Sequence, residues 1–151
     1  MIYLLDTNIL IAYVRGENAI RNFVDENYAP LSVGNEAVIS VVSVGEIKSI
    51  AIQNSWGQKR ITQLEEILAQ IIVADINSLD IINRYAEIDA FSQGRLDGRK
   101  LNLSSRNMGK NDLWIAATAS VVDAMFLTTD GDFDHLDKEF LKVARIGLIN
   151  E

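Results

Sequence analysis

The chain has 151 residues, of which 48% are hydrophobic and 23% are charged, a composition typical of one globular domain with a buried core. It contains no cysteine, which excludes disulfides, thiolate nucleophiles, zinc ribbons and iron–sulfur clusters and fits a reducing cytosol. Its single histidine, His135, excludes metal sites built from two or three histidines. The formal net charge of −7 argues against a protein that coats DNA through positive charge.

The sequence has no segment typical of a membrane-spanning or secreted protein. The apolar run at residues 9–14 is far shorter than the ~20 residues that a membrane-spanning helix needs. Asp6 interrupts the apolar amino-terminal region, and no basic segment precedes it. We therefore expect no signal peptide and a cytoplasmic protein.

Strand-like and helix-like patterns alternate along the chain. Apolar or β-branched runs predict strands at residues 1–5, 37–42, 71–76, 125–129 and 143–149. Apolar residues at helical spacing predict helices at residues 7–14, 17–27, 43–53, 59–70, 78–91 and 111–122. The alternation predicts an α/β fold in a single domain over residues 1–151, with a mainly parallel central sheet of about five strands and helices on both faces.

Four acidic residues fall where predicted strands end or predicted helices begin. Asp6 and Asp130 end the first and fourth strands, Glu46 lies in the first turn of the helix after the second strand, and Asp112 opens the helix before the fourth strand. Parallel strands end, and their helices begin, at the same edge of the sheet, so we expect these carboxylates to lie together. Packed carboxylates repel unless a cation holds them. An all-oxygen site of this kind suits Mg²⁺ or Mn²⁺.

Each acid also has a simple structural alternative. Residues 6–8 could cap a helix, and Ser43 with Glu46 fits a capping box. Asp112 could complement its helix dipole, and residues 130–132 could form a turn. Helix caps alone do not require carboxylates at four separate junctions, so the set as a whole favours a metal site.

Other site motifs fit less well. Residues 130–141 carry acids at EF-hand positions 1, 3 and 5, but His135 and Leu141 replace the glycine and glutamate of positions 6 and 12. The sequence has no P-loop and no glycine-rich dinucleotide motif after a strand. Asn8, two positions after Asp6, replaces the second aspartate of haloacid dehalogenases. We interpret His135 as a solvated loop residue.

Four stretches, in order along the chain, resemble the motifs of PIN-domain nucleases. They are residues 4–10 (LLDTNIL), 44–47 (VGEI), 111–119 (NDLWIAATA) and 127–133 (LTTDGDF). The resemblance extends over most of the chain, and the chain length resembles that of the VapC-type toxins of prokaryotic toxin–antitoxin pairs. It implies a PIN-like fold and an endoribonuclease that depends on Mg²⁺ or Mn²⁺.

The same resemblance implies roles for individual residues. The catalytic and metal-binding acids would be Asp6, Glu46, Asp112 and Asp130. Asp132 is a fifth candidate ligand, and Asn8 and Thr128 would orient carboxylates or water molecules. The usual setting of the family implies a homodimer and a cognate antitoxin that blocks the site.

A basic segment precedes Asp112. Residues 94–110 hold five of the fourteen basic residues of the chain and a single acid. The segment is polar and without clean periodicity, and we expect its end to lie near the acidic edge and to contact the RNA backbone. The candidates for that contact are Arg95, Arg99, Arg106 and Lys110. The alternative is a solvated surface loop whose charges only aid solubility.

Two other functions stay open at this point. One is a PIN-like module that binds RNA or protein and has lost catalytic turnover, a reading that the presence of all four acids disfavours. The other is an unrelated α/β phosphohydrolase that acts on small phosphate esters, which would not need a basic segment.

Overall fold

The computed structural model describes residues 1–147. Its strands are β1 (Ile2–Leu5), β2 (Glu36–Ser40), β3 (Ile72–Ala74), β4 (Met125–Thr128) and β5 (Lys142–Arg145). Its α-helices are α1 (Thr7–Arg15), α2 (Asn18–Asn27), α3 (Val41–Gln53), α4 (Gln58–Leu68), α5 (Leu79–Ser92) and α6 (Lys110–Val121). The strands form one parallel sheet in the order β3-β2-β1-β4-β5.

Helices cover both faces of the sheet because side chains alternate along each strand. Tyr3 and Leu5 of β1 lie in a core formed with α1, α2, α3 and α4. Leu4 and its neighbour Phe126 on β4 lie in a second core formed with α5 and α6. This arrangement confirms the predicted α/β architecture with a parallel sheet of five strands. Within the described residues, no helix is both long and apolar enough to cross a membrane.

The start of α3 differs from the prediction. The β-branched residues 41–42 were assigned to the strand, but Ser40 ends β2 and caps α3, its Oγ accepting a hydrogen bond from the Val42 N–H at 3.1 Å. A serine cap outweighs the strand preference of two valines. Ser43 therefore lies inside the helix and Glu46 in its second turn, so the capping box that was the structural alternative for these two residues does not form.

We expect Ser40→Ala to lower the free energy of unfolding by about 1 kcal/mol, the usual cost of losing an N-cap side chain. Urea denaturation measures this change. Ser49→Ala, on the exposed surface of the same helix, is the matched control and should leave the free energy of unfolding within about 0.5 kcal/mol of its starting value. Equal effects at both positions would contradict the cap assignment.

The remaining element boundaries agree to within a few residues, with two exceptions. β3 covers three residues, fewer than the predicted 71–76. A 3₁₀ helix at Gly131–Leu136 follows β4, where the sequence indicated only a turn. Residues 93–109 contain no helix or strand, as expected. The predicted fifth strand includes residues 148–149, which lie outside the described part of the chain.

His135 is buried, so its interpretation as a solvated loop residue is wrong. The 3₁₀ helix places Phe133 and Leu136 in the core beside α5 and α6, and His135 between them is only 6% exposed. Its Nε2 lies 2.7 Å from the Ser92 hydroxyl oxygen, and its ring is parallel to that of Phe91. Burial lowers the pKa of His135 below its usual value.

Candidate active site

The four predicted acids meet at the carboxyl edge of the sheet. Asp6 follows β1 and caps α1, Asp130 lies just beyond β4, Glu46 lies on α3, and Asp112 lies in the first turn of α6. Burial raises the pKa of Asp112 to about 6, and the negative charges of the other three acids and of Asp132 add to the shift. The charges of four other carboxylates thus act on Asp112 at this edge.

Asp6 is held by two buried hydrogen bonds. Its Oδ1 accepts the Thr7 N–H at 2.8 Å, and its Oδ2 accepts the Thr128 hydroxyl at 2.6 Å. The side chain is buried, and burial raises its pKa although both threonines favour the charged form. The negative charges of Asp130 and Glu46 raise it further. Asp6 is therefore a fixed carboxylate whose charge is costly without a cation nearby.

Glu46 is held by a chain of hydroxyl groups. The Thr7 Oγ1 lies 2.8 Å from both the Ser43 Oγ and the Glu46 Oε1. A hydroxyl has one hydrogen and an ionised carboxylate only accepts, so Ser43 donates to Thr7 and Thr7 donates to Glu46. Thr7 and Ser43 were not predicted from the sequence as residues that hold the Glu46 carboxylate. The available signals were the position of Thr7 directly after Asp6 and the i, i+3 spacing of Ser43 and Glu46, which places both on one helix face.

Asp112, Asp130 and Asp132 form the tightest part of the cluster. One carboxylate oxygen from each lies within 4.8 Å of one from each of the others. The Asp130 N–H donates to the Thr128 hydroxyl oxygen at 3.0 Å, and the Asp132 N–H donates to the Asp130 Oδ1 at 2.9 Å. The same threonine hydroxyl therefore links the Asp6 carboxylate to the loop that carries Asp130.

The donor set fits a hard divalent cation. Asp112, Asp130 and Asp132 form the group whose oxygens lie close enough to share one ion. Asp6 and Glu46 lie outside that group, and their charges act on Asp112. Among the described residues, none of these five carboxylates forms a salt bridge with a lysine or arginine. Oxygen-only groups of high negative charge suit Mg²⁺ or Mn²⁺. Asn8 is exposed on the first turn of α1, and no hydrogen bond of its side chain is found within residues 1–147.

The basic segment reaches the acidic edge through two adjoining grooves. One groove is lined by Arg95 and Arg106, and the other by Arg106 and Asp132. Arg99 is engaged elsewhere: its guanidinium lies 4.1 Å from the centre of the Phe140 ring and 3.9 Å from the Glu139 carboxylate. Exposed Lys110 begins α6. Arg106 therefore shares a groove with Asp132 and Arg95 lines the adjoining groove, whereas Arg99 is attached to a different segment.

A third groove, of about 570 Å³, is lined by Glu46 and other residues of α3 together with Asn111 at the start of α6. Glu46 and Asp132 thus each line an open groove.

We expect Thr128→Val to lower the free energy of unfolding by about 2 kcal/mol, because it leaves the buried Asp6 Oδ2 without its donor. Thr118→Val is the matched control, since Thr118 is equally buried but its hydroxyl bonds only to the Trp114 carbonyl oxygen of its own helix. Urea denaturation of both variants should show the larger loss at position 128. A smaller loss there than in the control would contradict the proposed support of Asp6.

Comparison with known proteins gives a consistent result. Residues 3–139 match the family model described as "PIN domain". VapBC2 from Rickettsia felis, solved with a promoter DNA fragment, is 21% identical, with a TM-score of 0.72 over 96% of this chain and 98% of that one. VapBC-1 from nontypeable Haemophilus influenzae is 24% identical, with a TM-score of 0.70 over 96% and 98%. VapBC-5 from Mycobacterium tuberculosis is 21% identical, with a TM-score of 0.61 over 96% and 98%.

No curated protein sequence matches the chain, and at these identities the similar structures show a shared fold. The match to the family model is evidence from the sequence itself and covers residues 3–139. It extends from β1 past the 3₁₀ helix and includes every acid of the cluster. The chain belongs to the PIN domain family.

Proposed function

We propose that the protein is a Mg²⁺- or Mn²⁺-dependent endoribonuclease that hydrolyses RNA phosphodiesters and acts as the toxin of a toxin–antitoxin pair. PIN domains are nuclease domains, which supports hydrolysis of a nucleic acid. The observation that carries the proposal is the group of Asp112, Asp130 and Asp132 oxygens within 4.8 Å of one another, with Asp6 and Glu46 close enough to raise the pKa of Asp112.

In this proposal the five carboxylates would hold the divalent cation. When bound, such a cation lowers the pKa of a coordinated water and neutralises charge on the phosphodiester. Thr128 fixes the Asp6 carboxylate and Thr7 fixes that of Glu46, since ligands keep their orientation through partners of this kind. Because the pKa of Asp112 is raised to about 6, protons would compete with a cation for this acid below that pH.

The substrate must be held beside these acids in spite of the net charge of −7. Arg106, in the groove that Asp132 also lines, and Arg95, in the adjoining groove, have guanidinium groups that suit phosphate binding. Lys110 at the start of α6 adds a positive charge next to Asp112 in sequence. These three residues are the proposed RNA contacts near the site.

We expect the double substitution of Arg95 and Arg106 by serine to weaken RNA binding. Loss of two phosphate contacts should lower the slope of log K against log salt concentration by about 1.4, since each contact on a single strand contributes about 0.7. Arg99→Ser is the control, because Arg99 is occupied by Glu139 and Phe140 and should leave the slope unchanged. An effect of Arg99→Ser as large as that of the double substitution would place the RNA elsewhere.

An antitoxin and a second copy of the chain are the proposed partners. The similar Mycobacterium tuberculosis structure is of a member of the VapBC family of toxin–antitoxin systems. By analogy, we propose that a cognate antitoxin covers the acidic cluster of this chain and that the chain forms a homodimer.

Expression of this chain alone should arrest cell growth, and co-expression of the protein encoded next to it should relieve the arrest. Sedimentation of the purified chain should give the mass of a dimer. Unaffected growth would contradict the toxin role.

The deciding experiment incubates the purified protein with a structured RNA and, separately, with a small phosphate ester. Each substrate is tested with Mn²⁺ and with a chelator. RNA cleavage with Mn²⁺ alone supports the proposal. Tight RNA binding without cleavage would indicate a binding module that has lost turnover, and hydrolysis of the ester alone would indicate a phosphohydrolase.

A further inference from the structure

A cavity of about 420 Å³ lies between the end of α1 and the start of α4, and basic side chains surround it. The basic residues that line it are Arg15, Arg21, Lys59 and Arg60. We call it the basic cavity. α1 starts at the acidic edge and has nine residues, which is about 14 Å of helix. The basic cavity therefore lies at the opposite end of α1 from the acidic cluster.

Within the described part of the chain, three of these four cations lack an anionic partner. Arg21 pairs with Asp25, 3.8 Å away. Within residues 1–147, Arg15, Lys59 and Arg60 form no salt bridge. In a chain whose net charge is −7, three unpaired basic groups around one cavity repel one another. An anion bound between them would remove that repulsion.

Two of the guanidinium groups are held in place before any anion binds. The Cζ atoms of Arg15 and Arg60 lie 5.7 and 5.5 Å from the centre of the Trp56 ring. Contact with one indole restricts both side chains without neutralising them. A preorganised cation loses less conformational entropy when it binds its ligand.

The start of α4 adds a further attraction for anions. Its N-cap is Gly57, which offers no side chain to the first N–H groups of the helix. Gly57, Lys59 and Arg60 all line the basic cavity, so the uncapped turn adjoins it. N–H groups at a helix N-terminus and nearby guanidinium groups together favour phosphate oxygens.

The lining favours a nucleic acid over a protein segment. Its largest apolar members, Tyr13 and Val14, are 4% and 3% exposed, so the cavity offers no pocket for an apolar anchor. Protein interfaces depend on such anchors. Nucleic acids, in contrast, bind largely through phosphates.

We propose that the basic cavity binds a backbone phosphate of the RNA, outside the segment that lies over the acidic cluster. The inference rests on the proposed ribonuclease function and extends its RNA contacts to the opposite end of α1. In an acidic protein whose Arg99 is paired with Glu139, the basic cavity would add cations to those that Arg95 and Arg106 offer to the RNA.

The test compares two triple variants of equal charge change. Arg15, Lys59 and Arg60 are replaced by serine in one, and the exposed Lys48, Lys138 and Lys142 in the other. RNA binding is measured with Mg²⁺ at several salt concentrations, in the Asp112→Asn background so that the RNA stays intact. We expect the first variant to lower the salt slope by about 0.7, the contribution of the one phosphate contact that is lost, and the control to leave it unchanged.

Further measurements separate the alternatives. With an active site intact, the first variant should raise KM for RNA and keep kcat. Millimolar inorganic phosphate should compete with RNA in the parent protein but not in this variant. If the triple variant does not fold, Arg15→Gln alone should still lower the salt slope, whereas Lys48→Gln should not.

Three results would overturn the inference: an unchanged salt slope, an equal change in the control, or tighter binding of a polyglutamate peptide than of RNA through these residues. RNA cleavage that persists with an unchanged KM would reject the basic cavity alone. Absence of cleavage by the parent protein would instead reject the proposed function.

Discussion

Asp112→Asn should abolish RNA cleavage and at the same time stabilise the metal-free protein. Asp112 lies in the tightest group of carboxylates, and loss of a residue that merely supports a metal ligand already costs 10–100-fold in activity. We therefore expect cleavage to fall by more than about 100-fold. Initial rates on a fluorescent RNA with saturating Mn²⁺ measure the loss.

The stability gain follows from the pKa of Asp112, which is raised to about 6, mainly by burial and then by the neighbouring acids. At pH 7.5 the Asp112 carboxylate is ionised in both states, and its charge costs more free energy in the folded state than in the unfolded state. The neutral amide removes this cost, a gain of about 1 kcal/mol once solvent screening is allowed for. Thermal unfolding in a chelator should show a rise of about 3 °C.

Asp80→Asn is the matched control, because Asp80 is the acid in the first turn of α5 and is exposed. Its loss removes a favourable interaction with the helix dipole, so its melting temperature should fall slightly. Opposite signs for the two variants are the decisive result. A melting temperature that falls as much in Asp112→Asn as in Asp80→Asn would show that the two acids serve the same structural purpose.

Divalent cations should reverse the pH dependence of stability. The raised pKa values of Asp6 and Asp112 mean that the folded state binds more protons than the unfolded state, over a range that for Asp112 runs from pH 4 to about 6. In a chelator, their contribution to the free energy of unfolding must therefore fall as pH rises through this range. With Mn²⁺, ionisation creates the ligands, so their contribution should rise with pH.

At neutral pH, Mn²⁺ at one hundred times its dissociation constant should add about 2.7 kcal/mol to the free energy of unfolding. Differential scanning fluorimetry from pH 4 to pH 8, with Mn²⁺ and with chelator, measures both effects. The difference between the parent protein and Asp112→Asn separates the cluster from the other carboxylates of the chain. Identical curves with and without Mn²⁺ would refute a metal site at this edge.

The position of the acids at one edge of the sheet was predictable from the sequence, because it follows from the order of strands and helices in a parallel sheet. Once alternating strands and helices indicate a parallel sheet, Asp6 and Asp130 lie at the ends of strands and Asp112 at the start of a helix, and these positions share one edge. Periodicity and chain order are local properties, and they were sufficient for the fold class. They predicted Glu46 in the first turn of α3, whereas it lies in the second. The two valines after Ser40 fit the end of a strand as well as the start of a helix, so the predicted helix began too late.

Side-chain environments were decided only by the tertiary structure. Thr128 bonds to Asp6 across 122 positions of sequence, and Thr7 to Ser43 across 36; no local pattern reports such pairs. His135 is buried by core residues, and Arg99 contacts the Phe140 ring and the Glu139 carboxylate. Neither environment could be predicted from local sequence. The sequence by itself determined which carboxylates share an edge, because backbone topology orders strand ends. Packing determined which groups hold them, because burial and hydrogen bonding depend on residues that are distant in the chain.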